Sequence, residues 1–293
     1  MSASCRICGA PTHPSALLAP LPFRDCERCG FTFREDRGDE AVHEIYESGA
    51  YTEVRAFEYS DPRTLEARRR DARVRLGFVA EHAEGGRLLD VGAAGGAFVE
   101  QALARGYAAE GVEPTPEFAA FARDTLGVPV RATTVEQAGL ADASLDVVTI
   151  WHVLEHVPDP VAVLELLRDA LRPGGVIAIE VPNAAGHLAR SQGREWASLE
   201  PDVHVNQFGP GSLTAALRRA GLDVVEVGSV TVTPYLRPAE RLQPGQIVHR
   251  LRGLQRLRTP AVRHPHGHEL LRAVGRRPRT QAGAAQPSAS ASS

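Results

Sequence analysis

Arg87-Leu-Leu-Asp-Val-Gly-Ala-Ala-Gly-Gly-Ala97 decides the fold of this 293-residue chain. Arg87 to Val91 is an apolar run of strand length that breaks at Gly92. Ala97 to Arg105 has helical spacing, so a strand passes through a turn of small residues into a helix. Small side chains let the backbone approach a ligand, and the first N–H groups of the helix stay open to it. A glycine turn alone is a weak signal. The next segment strengthens it: Ala108 to Val112 reads as a second strand, with Glu113 at its end. A carboxylate there can accept the two ribose hydroxyls of a nucleoside ligand, as in dinucleotide-binding folds.

The alternation continues outward. A helix is expected over Pro62 to His82 and another over Pro116 to Leu126. Strands are expected over Val128 to Ala132, Leu145 to Ile150 and Val176 to Val181, with a helix from Pro160 to Leu171 before the last of these. Beyond Asn183 the pattern loosens, leaving a helix over Gly211 to Ala220 and strands over Leu222 to Thr231 and Glu269 to Val274. Strands alternating with helices predict an α/β fold, with a mostly parallel sheet covered on both faces.

NAD(P) and S-adenosylmethionine both suit a glycine turn with an acidic partner. A nicotinamide enzyme is expected to carry G-x-G-x-x-G, which Gly92-Ala-Ala-Gly95-Gly96 does not match. Leu88-Leu-Asp-Val-Gly-Ala-Ala-Gly-Gly96 resembles the first motif of class I S-adenosylmethionine-dependent methyltransferases, and Val112-Glu-Pro-Thr115 resembles their acidic second-strand motif. Asp146-Val-Val-Thr-Ile-Trp-His-Val-Leu-Glu-His-Val-Pro-Asp-Pro160 and Leu171-Arg-Pro-Gly-Gly-Val176 resemble their segments after the fourth strand and before the fifth. The four motifs stand in order between residues 87 and 232, closest to ubiquinone-type O-methyltransferases and ribbon-bearing sugar or natural-product methyltransferases. One position departs from the pattern: Ala94 stands where the family has its middle glycine.

The resemblance implies a Rossmann-like, seven-stranded sheet and methyl transfer to a small-molecule or saccharide acceptor, with O-, N- and C-methylation all open. It places Asp90, Gly92, Ala94, Gly95 and Gly96 against the methionine part of the donor and Glu113 against its ribose. Pro114 and Thr115 flank the adenosine, Val135 or Glu136 approaches the adenine, and Trp151 and His152 line the pocket. An acceptor hydroxyl or carbon acid needs a base. The candidates are His152, His156 and His204. A helical turn would put His152 and His156 on one face beside Glu155, and a purely structural role for His156 or His204 is equally open. Such a histidine pair also suits a metal, but no third ligand stands at a clear spacing.

All four cysteines precede residue 30. Cys5-Arg-Ile-Cys8-Gly9 and Cys26-Glu-Arg-Cys29-Gly30 are paired knuckles with zinc-ribbon spacing. Four thiolate ligands close a tetrahedron and leave no position for substrate, so the metal, Zn2+, is expected to be structural. Such a ribbon binds nucleic acid or protein, or serves as a scaffold beside a site.

The expected organisation is a zinc ribbon over 1–35, a linker and cap helix over 36–82, a methyltransferase domain over 83–276 and a disordered tail over 277–293. Tyr46 and Tyr51 fall in the linker, either as a lid or as packing. The chain lacks lysine. It carries 22 arginines against 34 acids up to Leu236, then 11 against 2. The basic end is expected to be a solvated surface, with phosphate or nucleic-acid contact as the lesser reading. No apolar run reaches membrane-spanning length and no signal peptide precedes the ribbon, so a cytoplasmic setting is expected. Two rival functions remain: an RNA or protein methyltransferase that recruits its target through the ribbon and the arginine-rich segment, and a non-catalytic ribbon module with a vestigial donor pocket.

Overall fold

The computed structural model describes residues 4–36, 61–230 and 268–279. Tyr46, Tyr51, most of the arginine-rich segment and nearly all of the expected tail lie outside the described residues.

Near the N-terminus three short strands, β1 (His13–Pro14), β2 (Phe23–Asp25) and β3 (Thr32–Arg34), form an antiparallel ribbon. Helix α1 (Pro62–Ala80) follows; Asp61 caps it by accepting the Arg63 and Thr64 N–H groups, and Pro62 pre-sets its first turn. The alternating core comprises β4 (Arg87–Val91), α2 (Ala97–Ala104), β5 (Ala108–Glu113), α3 (Pro116–Asp124), β6 (Val130–Ala132), β7 (Leu145–Trp151), α4 (Pro160–Ala170) and β8 (Leu171–Pro182). Asp159 caps α4 as Asp61 caps α1. After β8 come α5 (His187–Gln192), one 3-10 turn, β9 (Asn206–Gln207), α6 (Pro210–Arg219), β10 (Asp223–Val230) and β11 (Leu270–Arg276).

The main sheet runs β10-β11-β8-β7-β4-β5-β6. Neighbours from β6 to β8 are parallel, and β11 lies antiparallel to both β8 and β10. Side chains alternate between the sheet faces. Leu88, Val147 and Ala178 pack with α1, α2 and α3, whereas Leu89, Val148 and Ile177 pack with α4 and α6. The expected seven-stranded, mostly parallel sheet with two covered faces is therefore present.

Two local expectations need correction. The fifth strand of the run begins at Leu171, not Val176, because Leu171 already pairs with Leu145 on β7. The loosened stretch after Asn183 contains α5 and β9, and β9 pairs with β3, extending the ribbon to four strands. Cys5, Ile7, Cys26, Phe31 and Phe33 share one apolar cluster with Phe208 and Leu213, so ribbon and sheet have a continuous core.

Candidate active site

The C-terminal ends of parallel strands β4, β5 and β7 open on a cavity of about 1320 Å³. Ligands bind at that edge in open α/β sheets because glycine turns and helix N-termini converge there. Asp90, Gly92, Ala94, Gly95, Glu113, Pro114, Val135, Glu136, Trp151, His152, His156 and His204 all line it. Gly96 does not. Its φ of +80° turns the chain into α2, and Ala122 and Val128 leave no room for a Cβ there.

Glu113 organises one side of the cavity. Its carboxylate accepts the Ala94 N–H at 2.8 Å and the Thr115 N–H at 2.9 Å, clamping the β4 turn to the β5 end. Ala94 has φ +48°, so the residue that departs from the motif still takes the left-handed conformation. Gly92, at φ +71°, is confined by Val153, whose Cγ2 would lie 2.3 Å from an added Cβ. Asp90 is buried and accepts the Thr149 hydroxyl at 2.7 Å; burial pushes its carboxyl up to about 7. Burial also raises the Glu113 carboxyl. Trp151 packs on Phe98, with ring centroids 5.4 Å apart, and its buried indole N–H has no hydrogen-bond partner among the described residues.

The far side of the cavity is ionic. Residues 152–157 form a turn rather than a helix, and His152 has φ +57°. The histidines expected on one face consequently have different partners. The His152 ring lies 3.2 Å from Glu155 and 3.3 Å from Glu180. Burial opposes its protonation, but hydrogen bonds to the two carboxylates prevail and raise its pKa to about 9. Glu180 is fully buried on β8 and receives Arg75 at 2.8 Å and Arg272 at 2.6 Å. Burial alone would raise its pKa; Arg75, His152 and Arg272 hold it well below the usual carboxylate value.

His156 instead meets His204 edge to face, with centroids 4.6 Å apart. Its Nδ1 lies 3.0 Å from the Val203 carbonyl, and His204 Nδ1 lies 2.8 Å from that of Ser198. Carbonyls only accept, so both Nδ1 atoms carry the proton and, in neutral rings, Nε2 carries the lone pair. Burial pushes His156 down to about 4. Glu155, His156 and His204 each offer a ligand atom within 4.8 Å of the others, and one oxygen of buried Glu155 has no hydrogen-bond partner among the described residues. The cluster leaves out His152, so it is a different set from the His152–His156 pair that the spacing suggested.

The sequence reading missed Arg75, Glu180, Arg272 and Thr149. Glu180 alone had a local signal, a lone carboxylate in the apolar run Val176-Ile-Ala-Ile-Glu-Val181.

In the ribbon, Cys5 and Cys29 sulfurs lie 3.6 Å apart and those of Cys8 and Cys26 3.5 Å apart, unbonded. Zn–S bonds of about 2.3 Å give tetrahedral edges of about 3.8 Å, so the spacing fits. The two knuckles share one hydrogen-bond pattern. Cys5 N–H donates to the Ala10 carbonyl and Cys26 N–H to that of Phe31, while Gly9 and Gly30, at φ +71° and +70°, donate back to Cys5 and Cys26. Burial raises the Cys5 and Cys29 thiols, whereas at Cys8 burial is outweighed by hydrogen bonds from the Ala10 backbone and Cys26, which lower it.

Residues 63–227 match the methyltransferase-domain family. A ubiquinone biosynthesis O-methyltransferase of Xanthomonas axonopodis pv. citri is 34% identical over 176 residues, covering 55% of this chain and 74% of the relative. One from Hahella chejuensis is 33% identical over 178 residues, covering 56% and 75%. The 1,6-didemethyltoxoflavin-N1-methyltransferase of Burkholderia thailandensis has the same fold at a TM-score of 0.53, with 18% identity, over 86% of this chain and 98% of that one.

Proposed function

The chain belongs to the class I S-adenosylmethionine-dependent methyltransferases, and on that premise we propose that it methylates a hydroxyl of a small molecule, with His204 as the base. The observation that carries this reading is one cavity with a nucleoside-type cradle at one end and paired, Nδ1-anchored histidines at the other. The curated relatives are O-methyltransferases, which supports oxygen as the acceptor atom.

The residues fit the donor. A carboxylate has about four lone-pair sites, so Glu113 keeps capacity for a ribose diol after accepting two backbone N–H groups. The turn Gly92 to Gly95 would hold the methionine part, Pro114, Val135 and Glu136 the adenosine, and the Trp151 indole N–H would find its partner in the bound ligand. When bound, the donor supplies a methyl group on a positively charged sulfur. The chain's task is to align the acceptor oxygen with it and exclude water. His204 Nε2 would take the acceptor proton, while the Ser198 carbonyl fixes the tautomer and His156 fixes the ring plane.

The four cysteines would hold a structural Zn2+, supported by the matched knuckles and the sulfur spacing.

Calorimetry with S-adenosylmethionine and S-adenosylhomocysteine tests the cradle, and methyl-labelled donor with a panel of catechols and nucleotide sugars tests the acceptor. Binding of both adenosyl compounds and label on a catechol oxygen are expected. Failure to bind either refutes the cradle; label on RNA or protein in a cell extract refutes the acceptor class.

A further inference from the structure

We propose that the ribbon is the positioning frame of the acceptor histidines, with Arg6 and Arg34 carrying the order of the cysteine knuckles to His204. The inference rests on the reading of His204 as an acceptor-side residue.

Every connection can be followed. Arg6 lies inside the first knuckle, between Cys5 and Cys8. Its guanidinium donates to the Pro158 carbonyl at 3.1 Å and to the Arg34 carbonyl at 3.1 Å, and lies 4.8 Å over the Phe33 ring. Pro158 closes the turn that carries Glu155 and His156. Arg34 ends β3, just after Phe33 pairs with Asn206 on β9. Its own N–H donates to the Val205 carbonyl at 2.8 Å, and its guanidinium binds the Pro201 carbonyl and Asp202. Residues 201 to 207, with His204 in the middle, are thereby held along their length by one ribbon strand. Asn206 completes the frame: its N–H donates to the Glu155 carbonyl at 3.0 Å and its side-chain amide to the Val157 carbonyl at 2.6 Å. Both histidine-bearing segments thus hang on β9, and β9 hangs on the ribbon.

The donor side makes none of these bonds. Glu113, Ala94 and Thr115 are tied to one another and to the parallel sheet. The second knuckle also reaches the main sheet's helices, where the Cys29 carbonyl lies so close to Gly211 that an added Cβ would sit 3.0 Å from it. A metal binding among four thiolates orders both knuckles at once. That order passes through packed, hydrogen-bonded neighbours to the histidines, whereas the adenosyl cradle meets the framed turn through the packing of Val153 on Gly92.

The test uses the full chain, metal-loaded and chelator-stripped, together with Arg34→Ala and Arg34→Lys in the loaded form. The readouts are hydrogen exchange, the imidazole resonances of His204 and calorimetric affinity for S-adenosylhomocysteine. Stripping the metal and Arg34→Ala should each speed exchange across 199–207 by about tenfold or more and shift the His204 resonances. Arg34→Lys should restore part of both. The α2 and α3 amides should hold their rates, and S-adenosylhomocysteine affinity should stay within about twofold. The frame is overturned if 199–207 and the His204 resonances are unchanged while residues 5–34 exchange freely, or if donor-side affinity collapses in parallel. Should the untreated protein not bind S-adenosylhomocysteine, the methyltransferase reading fails while exchange at 199–207 still decides the coupling.

Discussion

Glu113 and Ala94 are joined across two strand ends: the Glu113 carboxylate accepts the Ala94 N–H at 2.8 Å and so holds the glycine turn against β5. One side chain therefore shapes the cradle and presents the charge that a ribose would meet. Glu113→Ala should remove both and weaken S-adenosylhomocysteine binding by about 100-fold, near 3 kcal/mol, as expected for a charged hydrogen-bond acceptor lost from a buried site. Glu113→Gln, which retains an acceptor oxygen, should lose less. Calorimetry on the three proteins decides; equal affinities would remove Glu113 from the donor site.

Gly92→Ala meets two penalties. The backbone is at φ +71°, and the new Cβ would sit 2.3 Å from Val153 Cγ2. Left-handed strain and overpacking together should destabilise the fold by about 2–4 kcal/mol, read as a lowered urea midpoint at unchanged slope.

Asp90 should leave a signature in the pH dependence of stability. Its carboxyl titrates near 7 in the fold against an ordinary 3.8, so between those values the folded chain holds a proton that the unfolded chain has released. Its contribution to stability therefore falls as pH rises through this window and is flat above it. Asp90→Asn stays neutral throughout. The stability of wild type minus variant should decline by up to about 1.4 kcal/mol per pH unit between pH 5 and 7. Parallel stability curves for the two proteins would contradict this.

Glu180 is shared by Arg75 and Arg272, and it is fully buried. Glu180→Ala takes the buried anion away from Arg75, Arg272 and His152, of which His152 keeps Glu155, so a loss of about 3–5 kcal/mol is expected from thermal or urea unfolding. A loss below about 1 kcal/mol would mean that water already reaches and screens the cluster.

Cys26→Ser should leave the chain with background zinc by elemental analysis, and the ribbon should lose more than about 2 kcal/mol of stability. Full zinc content in the purified variant would contradict a four-thiolate site.

The sequence by itself was enough for whatever depends on neighbours along the chain. The β4 turn, the acid closing β5, the knuckles at Cys5 and Cys26 and the order of strands and helices could all be read, because periodicity, glycine placement and short ligand spacing act over a few residues. Tertiary structure decided the rest. His156 takes its partner His204, and Glu180 its partners Arg75 and Arg272, 105 and 92 positions away, only after the sheet stacks β8 between β7 and β11. The expected His152–His156 face failed for the same reason: His152 meets Glu180 on β8, while His156 meets His204. β9, only two residues long, carries no periodic signal; it is a strand because β3 is there to pair with it.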